Sequence, residues 1–244
     1  MRTAIIVVGA LRGMELCSKT WEFPFFAKFH LLTWTTKSDA RSDEFSQVNV
    51  GDFKACVKFM TTQIFDREEY GIPMTASGNQ TAMAFMWKKA YDHLRYDYDR
   101  FVFIRPDLFI WPQRPFPADY DPDVSGAAFV ANTDRTWIQD QFFIVSRKQL
   151  EVLSHAYETI STRDMSLGIN DIHTYLSDLH HSGQMEFNLV DLCEAFHFFL
   201  VRPNSSHLRC ESITFELASK VNRLTADWWK EKTGFPYQGY VMGL

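Results

Sequence analysis

Arg105 and Asp107 stand on either side of Pro106, directly after the apolar run 101–104 in "YDYDRFVFIRPDLFIWP". A guanidinium stays charged, and its fork matches two oxygens of a phosphate. A carboxylate two residues on can ligate a hard divalent cation, magnesium or manganese, that bridges phosphates. Two other stretches end in related chemistry. "AIIVVGALRG" sets Gly9 and Arg12 after its apolar residues, and "HLLTWTT" offers the hydroxyl of Thr33 and the flat ring of Trp34. "GALRG" is not the GxGxxG fingerprint, and no P-loop lysine motif follows it. Gathered in one crevice, these residues describe a nucleoside-diphosphate site. Taken singly they have plainer roles: Trp34 as core, Arg12 as a surface arginine, and Arg105 with Asp107 as a turn closed by an ion pair worth ~0–1 kcal/mol.

The elements that must position these residues are legible in the pattern. Residues 4–8 form a continuous, partly β-branched run ended by glycine, as in a strand covered on both faces. A helical stretch follows from Met14, with Pro24 interrupting it. Residues 30–36 read as a second strand and the polar "KSDARSDE" as a loop. In "SGNQTAMAFMWKKAYDHL", Ser77 and Gln80 have capping-box spacing, and Met83, Met86, Trp87, Ala90 and Leu94 share one helical face. That helix leads into a strand over 100–105. The proline-dense link after it is followed by strands at "GAAFVA" and "QFFIVS". Ser146 and Gln149 make a second capping box, before the stripe Leu150, Leu153, Tyr157 and Ile160. A shorter helix is predicted from Asn170 or Asp171 to Gly183, late strands at "MEFNLVD" and "AFHFFLV", and a C-terminal helix over 213–232. Strands alternating with helices predict an α/β sandwich around a mostly parallel sheet. Ligands of such sheets bind beyond the carboxyl ends of the strands, where Gly9, Arg12, Thr33, Trp34, Arg105 and Asp107 all fall.

Composition narrows the partners. With 244 residues, 46% of them hydrophobic, the chain can bury a large core as one domain. A formal charge of −5 gives no basic footprint for nucleic acid. No apolar run approaches the ~20 residues of a membrane span, and the N-terminal run reads as a buried strand without a cleavage pattern. Cys17, Cys56, Cys193 and Cys210 show no CxxC pairing, which fits reduced thiols and a cytoplasmic protein.

The ordered series "IIVVGALRG", "LLTWTTKSD", "SGNQTAMAFMWKKAYDHLRYDYDRFVFIRPDL" and "WIQDQFFIVSRKQLEVL" resembles a group of GT-A-type, nucleotide-sugar-dependent glycosyltransferases of viruses, bacteria and algae. The likeness covers most of residues 4–153. It implies a Rossmann-like three-layer sandwich in a single domain over 1–244, with 1–145 mainly binding the nucleotide sugar and 146–244 mainly on the acceptor side. It also implies a nucleoside-diphosphate-sugar donor and a glycan or other hydroxyl acceptor. The resemblance further implies that Asp107 takes the place of the last carboxylate of a DxD metal motif that holds a divalent cation, while Arg105 stands where the first would be, which sets metal dependence apart from the usual pattern.

In an inverting transfer, a carboxylate takes the acceptor hydroxyl's proton as the anomeric carbon is attacked; inversion and retention both stay open. The matched "DQF" makes Asp140 the first candidate and Asp171, at a predicted helix start, the second; N-cap duty is the plainer role of Asp171. Asp134, Asp191 and Glu194 stay open. Trp228, Trp229, Phe235 and Tyr237 could stack on a sugar or simply pack the last helix. Two other classes stand beside this reading: a nucleotidyltransferase, for which no glycine- and lysine-rich phosphate loop is present, and a non-catalytic nucleotide- or carbohydrate-binding module.

Overall fold

The computed structural model describes residues 1–11, 14–21, 23, 26–34, 55–73, 76–112, 127–130, 138–162, 172–185, 188–190 and 196–200, with separate helical residues between 219 and 231. Those last residues fall inside the predicted C-terminal helix.

Strand β1 (Thr3–Val8) is buried along its whole length, as its unbroken apolar run requires. It lies between β2 (Lys28–Trp34) and β4 (Arg100–Ile104), parallel to both. An outer strand, β3 (Phe59–Phe65), is parallel to β2, and β7 (Ile138–Ser146) runs antiparallel to β4 on the other side. With β6 (Ala127–Val130) and β8 (Asn188–Val190), the sheet has, among the described residues, seven strands in the order β3-β2-β1-β4-β7-β6-β8. Pairing is parallel apart from β7, which opposes both neighbours. The fold is therefore the expected α/β, Rossmann-like sheet, mostly parallel.

Helix α2 (Ala76–Leu94) covers one face of the sheet with the stripe read from its sequence: Met83, Met86, Trp87, Ala90 and Leu94 are all buried. Trp87 meets Phe143 edge-on at 5.4 Å, and Phe143 stacks on its register partner Phe103 at 4.8 Å. Such cross-strand aromatic pairs add to area burial and pin the β4–β7 register. Alternate residues of the strands, among them Ile5, Val7, Val102 and Ile144, are buried on the opposite face. There Phe23, which follows α1 (Met14–Cys17) and the 3-10 turn Ser18–Thr20 in the chain, stacks on Phe142 at 6.1 Å.

Several expectations are refined. In the stripe after Ser146, Leu150, Leu153 and Ile160 are buried and Tyr157 is half-buried against them, but the stripe belongs to two helices, α3 (Arg147–Ser154) and α4 (Ala156–Thr162), separated at His155. The Ser146–Gln149 capping box is present in both directions. The Ser77–Gln80 box is corrected: α2 already includes Ser77, and the Gln80 side chain is committed elsewhere. Helix α5 (Ile172–His181) ends before Gly183, whose φ of 72° is the left-handed turn that glycine accepts. The proline-dense link carries a strand after all: β5 (Leu108–Pro112) pairs antiparallel with β9 (Phe196–Leu200), with Pro112 at the strand's last position, where it costs least.

Candidate functional site

The chain runs from β1 outward to β2 and β3, then returns across α2 to β4 on β1's other side. The carboxyl ends of β1 and β4 thus diverge at a topological switch point, the usual crevice of such sheets. Gly9, just past β1, has φ 133°, and a Cβ built on it would lie 3.3 Å from Cδ of Pro106. Only glycine combines that backbone with so close an approach of the β4 turn. The Thr33 hydroxyl donates to the Gly9 carbonyl at 2.7 Å and is fully buried, so it fastens β2 to the β1 turn.

Beyond β4 the charges come together. Arg105 Nε donates to Asp107 Oδ1 at 3.0 Å and Nη2 to Oδ2 at 3.3 Å, while Nη1 donates to Asp140 Oδ2 at 3.2 Å. The antiparallel register explains the last contact: Ile104 pairs with Phe142, so Asp140 lies just beyond the end of β4. The Asp107 side chain is 1% exposed, that of Asp140 6% and that of Arg105 20%. Burial opposes the guanidinium's charge, but Asp107 and then Asp140 outweigh it, and the Arg105 pKa is raised. Beneath, the buried Cys17 thiol is pushed well above its ordinary range by desolvation and, second, by the Asp107 charge. Trp21 Nε1 donates to the Leu108 carbonyl at 2.7 Å and holds the turn from that side.

Asp140 has a second neighbour that no pattern in the sequence marks. His173, in the first turn of α5, places Nε2 3.6 Å from Asp140 Oδ1. That oxygen is buried and has no hydrogen-bond partner among the described residues. Gln80 sets the start of α5, because its Oε1 accepts from the Ile172 amide at 3.0 Å, a bond between residues 92 apart. A nearby buried arginine was also missed. Arg67 is 2% exposed, donates to Asn79 Oδ1 at 2.6 Å and to the Pro73 carbonyl, and lies 5.7 Å from the Trp34 ring centroid. Its signal in the sequence is Gly78, where a Cβ would collide with the Pro73 carbonyl oxygen that Arg67 bonds.

Of the residues singled out by sequence, Arg105, Asp107 and Asp140 form one cluster, and Gly9 borders it through Pro106. Thr33 and Trp34 are turned inward. Trp34 is 5% exposed with Arg67 near its ring, so a base stacked there must first displace neighbours. Arg12, Asp171, Asp134, Asp191, Glu194, Trp228, Trp229, Phe235 and Tyr237 lie outside the described residues.

The divalent cation implied by the DxD resemblance does not fit this donor set. Both Asp107 oxygens accept from Arg105, and the first motif position is itself a cation. No three His, Cys, Asp or Glu side chains among the described residues gather into a metal cluster. A cavity of about 610 Å³ at the opposite end of the strands is lined by Arg2, Lys28, His30, Asp97 and Tyr98, among others, and none of its lining residues is a candidate site residue of the sequence. Among the described residues, no helix is long and apolar enough to cross a membrane.

No protein-family model and no curated protein matches the sequence. Among solved structures, the chain is similar to a glycosyltransferase involved in the glycosylation of the major capsid of PBCV-1, with a TM-score of 0.46 and 10% identity over 79% of this chain and 84% of that one.

Proposed function

We propose that this chain is a glycosyltransferase moving a sugar from a nucleoside-diphosphate-sugar donor to a hydroxyl of a glycan or other acceptor. The observation that carries the reading is the Arg105 guanidinium bridging Asp107 and Asp140 beyond the carboxyl end of β4, at the sheet's switch point. The ordered resemblance over residues 4–153 supports it. In the transfer, the acceptor oxygen bonds to the anomeric carbon, and the bond from that carbon to the diphosphate breaks with its electron pair leaving on phosphate oxygen. The hydroxyl proton goes to Asp140, which Arg105 orients through Oδ2 while Oδ1 keeps an acceptor position.

The test is a panel of UDP-, GDP-, ADP- and CDP-sugars with mono- and disaccharide acceptors, read as nucleoside diphosphate released and as glycosylated product. Product from one donor supports the proposal. Release of pyrophosphate from a nucleoside triphosphate and a sugar phosphate makes the protein a nucleotidyltransferase, and nucleotide binding without turnover makes it a binding module. Either outcome overturns the proposal.

A further inference from the structure

We infer that the Arg105 guanidinium occupies the place of a divalent cation between Asp107 and Asp140, so that the site holds its diphosphate ligand without a metal ion. The inference rests on the functional reading above for the ligand and on the donor set alone for the metal.

A divalent ion at a DxD motif holds carboxylates together and presents positive charge to phosphate oxygens. Arg105 already does the first. It takes both Asp107 oxygens side-on and one Asp140 oxygen from Nη1. Magnesium demands near-octahedral oxygen ligation with several retained waters, and manganese likewise favours open oxygen ligands. Asp107, 1% exposed and bonded through both oxygens, offers neither room nor a lone carboxylate. An ion placed there must displace the guanidinium or sit beside it, at a Coulombic cost that rises in low dielectric.

Arg105 also keeps capacity for the second task. A guanidinium has five N–H donors, and three are used among the described residues, one each on Nε, Nη1 and Nη2. Among the described residues one N–H is left on each Nη, and each can donate to a phosphate oxygen. Arg105 is 20% exposed, against 1% for Asp107 and 6% for Asp140, so the guanidinium is the most accessible of the three groups. One positive group between two negative ones leaves the cluster with a net negative charge. Phosphate binding at this point thus depends on directed N–H donors and not on a broad positive field.

The test begins without nucleotide. Manganese is titrated into the wild-type protein and the free ion is followed by electron paramagnetic resonance. The free-ion signal is expected to match the total added throughout. Melting temperature is then measured with UDP, GDP, ADP and CDP in chelator and in manganese, and the diphosphate that stabilises the protein should do so equally in both. Arg105→Asp supplies a third carboxylate beside Asp107 and Asp140, and its melting temperature should rise with manganese where the wild type's does not. Stoichiometric manganese binding by the wild type that Asp107→Asn abolishes overturns the inference and leaves the glycosyltransferase reading standing. Diphosphate stabilisation seen only with manganese does the same. If no diphosphate stabilises the protein in either buffer, the functional reading and the diphosphate part of the inference both fail.

Discussion

Arg105 grips Asp107 through two parallel hydrogen bonds, 3.0 and 3.3 Å long, across a single proline. Pro106 fixes its own φ, so the turn that brings the two side chains together has little freedom to relax. The pair was open to reading as a surface ion pair of ~0–1 kcal/mol. Its burial changes the magnitude. Arg105→Ala leaves Asp107 buried without its countercharge, and breaking such a pair costs about 3–5 kcal/mol. Thermal or urea unfolding should show the loss, and Arg105→Lys, which keeps the charge but not the fork, should recover part of it. An alanine variant as stable as the wild type contradicts this account.

Asp140→Asn is expected to fold, because an amide oxygen can still accept from Arg105 Nη1. It removes the proposed base. Melting temperature and nucleotide binding should stay near wild type, while transfer falls by ~10²-fold or more, as for loss of a positioned general base. Wild-type turnover in the variant would remove Asp140 from the chemistry.

Three glycines separate steric need from backbone need. A Cβ at Gly78 collides with the Pro73 carbonyl, at Gly9 it meets Pro106 Cδ at 3.3 Å with φ 133°, and at Gly183 it meets nothing within 4 Å at φ 72°. Gly183→Ala should cost about 1–2 kcal/mol, the left-handed penalty alone. Gly78→Ala should cost about 3 kcal/mol or more, because a backbone carbonyl cannot move aside as a side-chain tip can. Gly9→Ala should cost more than Gly183→Ala and also weaken nucleotide binding. Urea midpoints for the three variants test the order, and an equal cost at all three contradicts it.

His30 gives the fold a pH dependence away from the site. It is 3% exposed, with Nδ1 2.8 Å from the Thr61 hydroxyl and Nε2 2.8 Å from the Tyr98 hydroxyl. Burial lowers its pKa from the ordinary 6.5, with Asp97 opposing and Lys28 assisting. Below pH 6.5 the unfolded chain therefore binds the proton more readily than the native state, so stability is full above that pH and is lost on acidification. The carboxylates of Glu158 and Asp99, whose pKa values are lowered, withdraw their contributions only below their ordinary 4.5 and 3.8. Melting temperatures between pH 5 and 7.5 should fall toward acid in the wild type and fall less in His30→Gln. Parallel profiles would exclude His30 as the titrating group.

The sequence displayed the central strands and α2 because both follow a burial period: five apolar residues in a row for β1, and a 3.6-residue stripe ending at Leu94 for α2. β3 escaped notice because an edge strand need not alternate, and Met60, Thr61, Thr62 and Ile64 are all exposed. β5 was hidden by prolines that a short two-stranded ribbon tolerates at its end. At the site, Arg105, Asp107 and Asp140 were legible as residues but their union was not. It depends on the antiparallel pairing of Ile104 with Phe142, and direction of pairing leaves no mark in the local pattern. His173 and Arg67 were missed for a related reason, since their partners are far away in sequence.

Gln80 shows how such distant partners organise the site. Its spacing from Ser77 suggested a local cap, yet its Oε1 accepts from the Ile172 amide, one of the donors that a helix N-terminus leaves unpaired. The bond ties the first turn of α5 to α2, and the next residue, His173, faces Asp140. Gln80→Ala removes the acceptor and should cost about 1 kcal/mol globally. Its larger effect should be local, with faster amide hydrogen exchange over residues 172–174 and little change in the centre of α2. Gln80→Glu keeps an acceptor and adds a negative charge at a helix N-terminus, which is favourable there, so protection should be retained or increased. If the tie serves the site, Gln80→Ala should also lower transfer more than nucleotide affinity, because the nucleotide's proposed partner Arg105 stands on β4's turn and not on α5. Unchanged exchange at 172–174 in Gln80→Ala would show that α5 is held by its apolar face alone, and His173 would then be near Asp140 for reasons of packing.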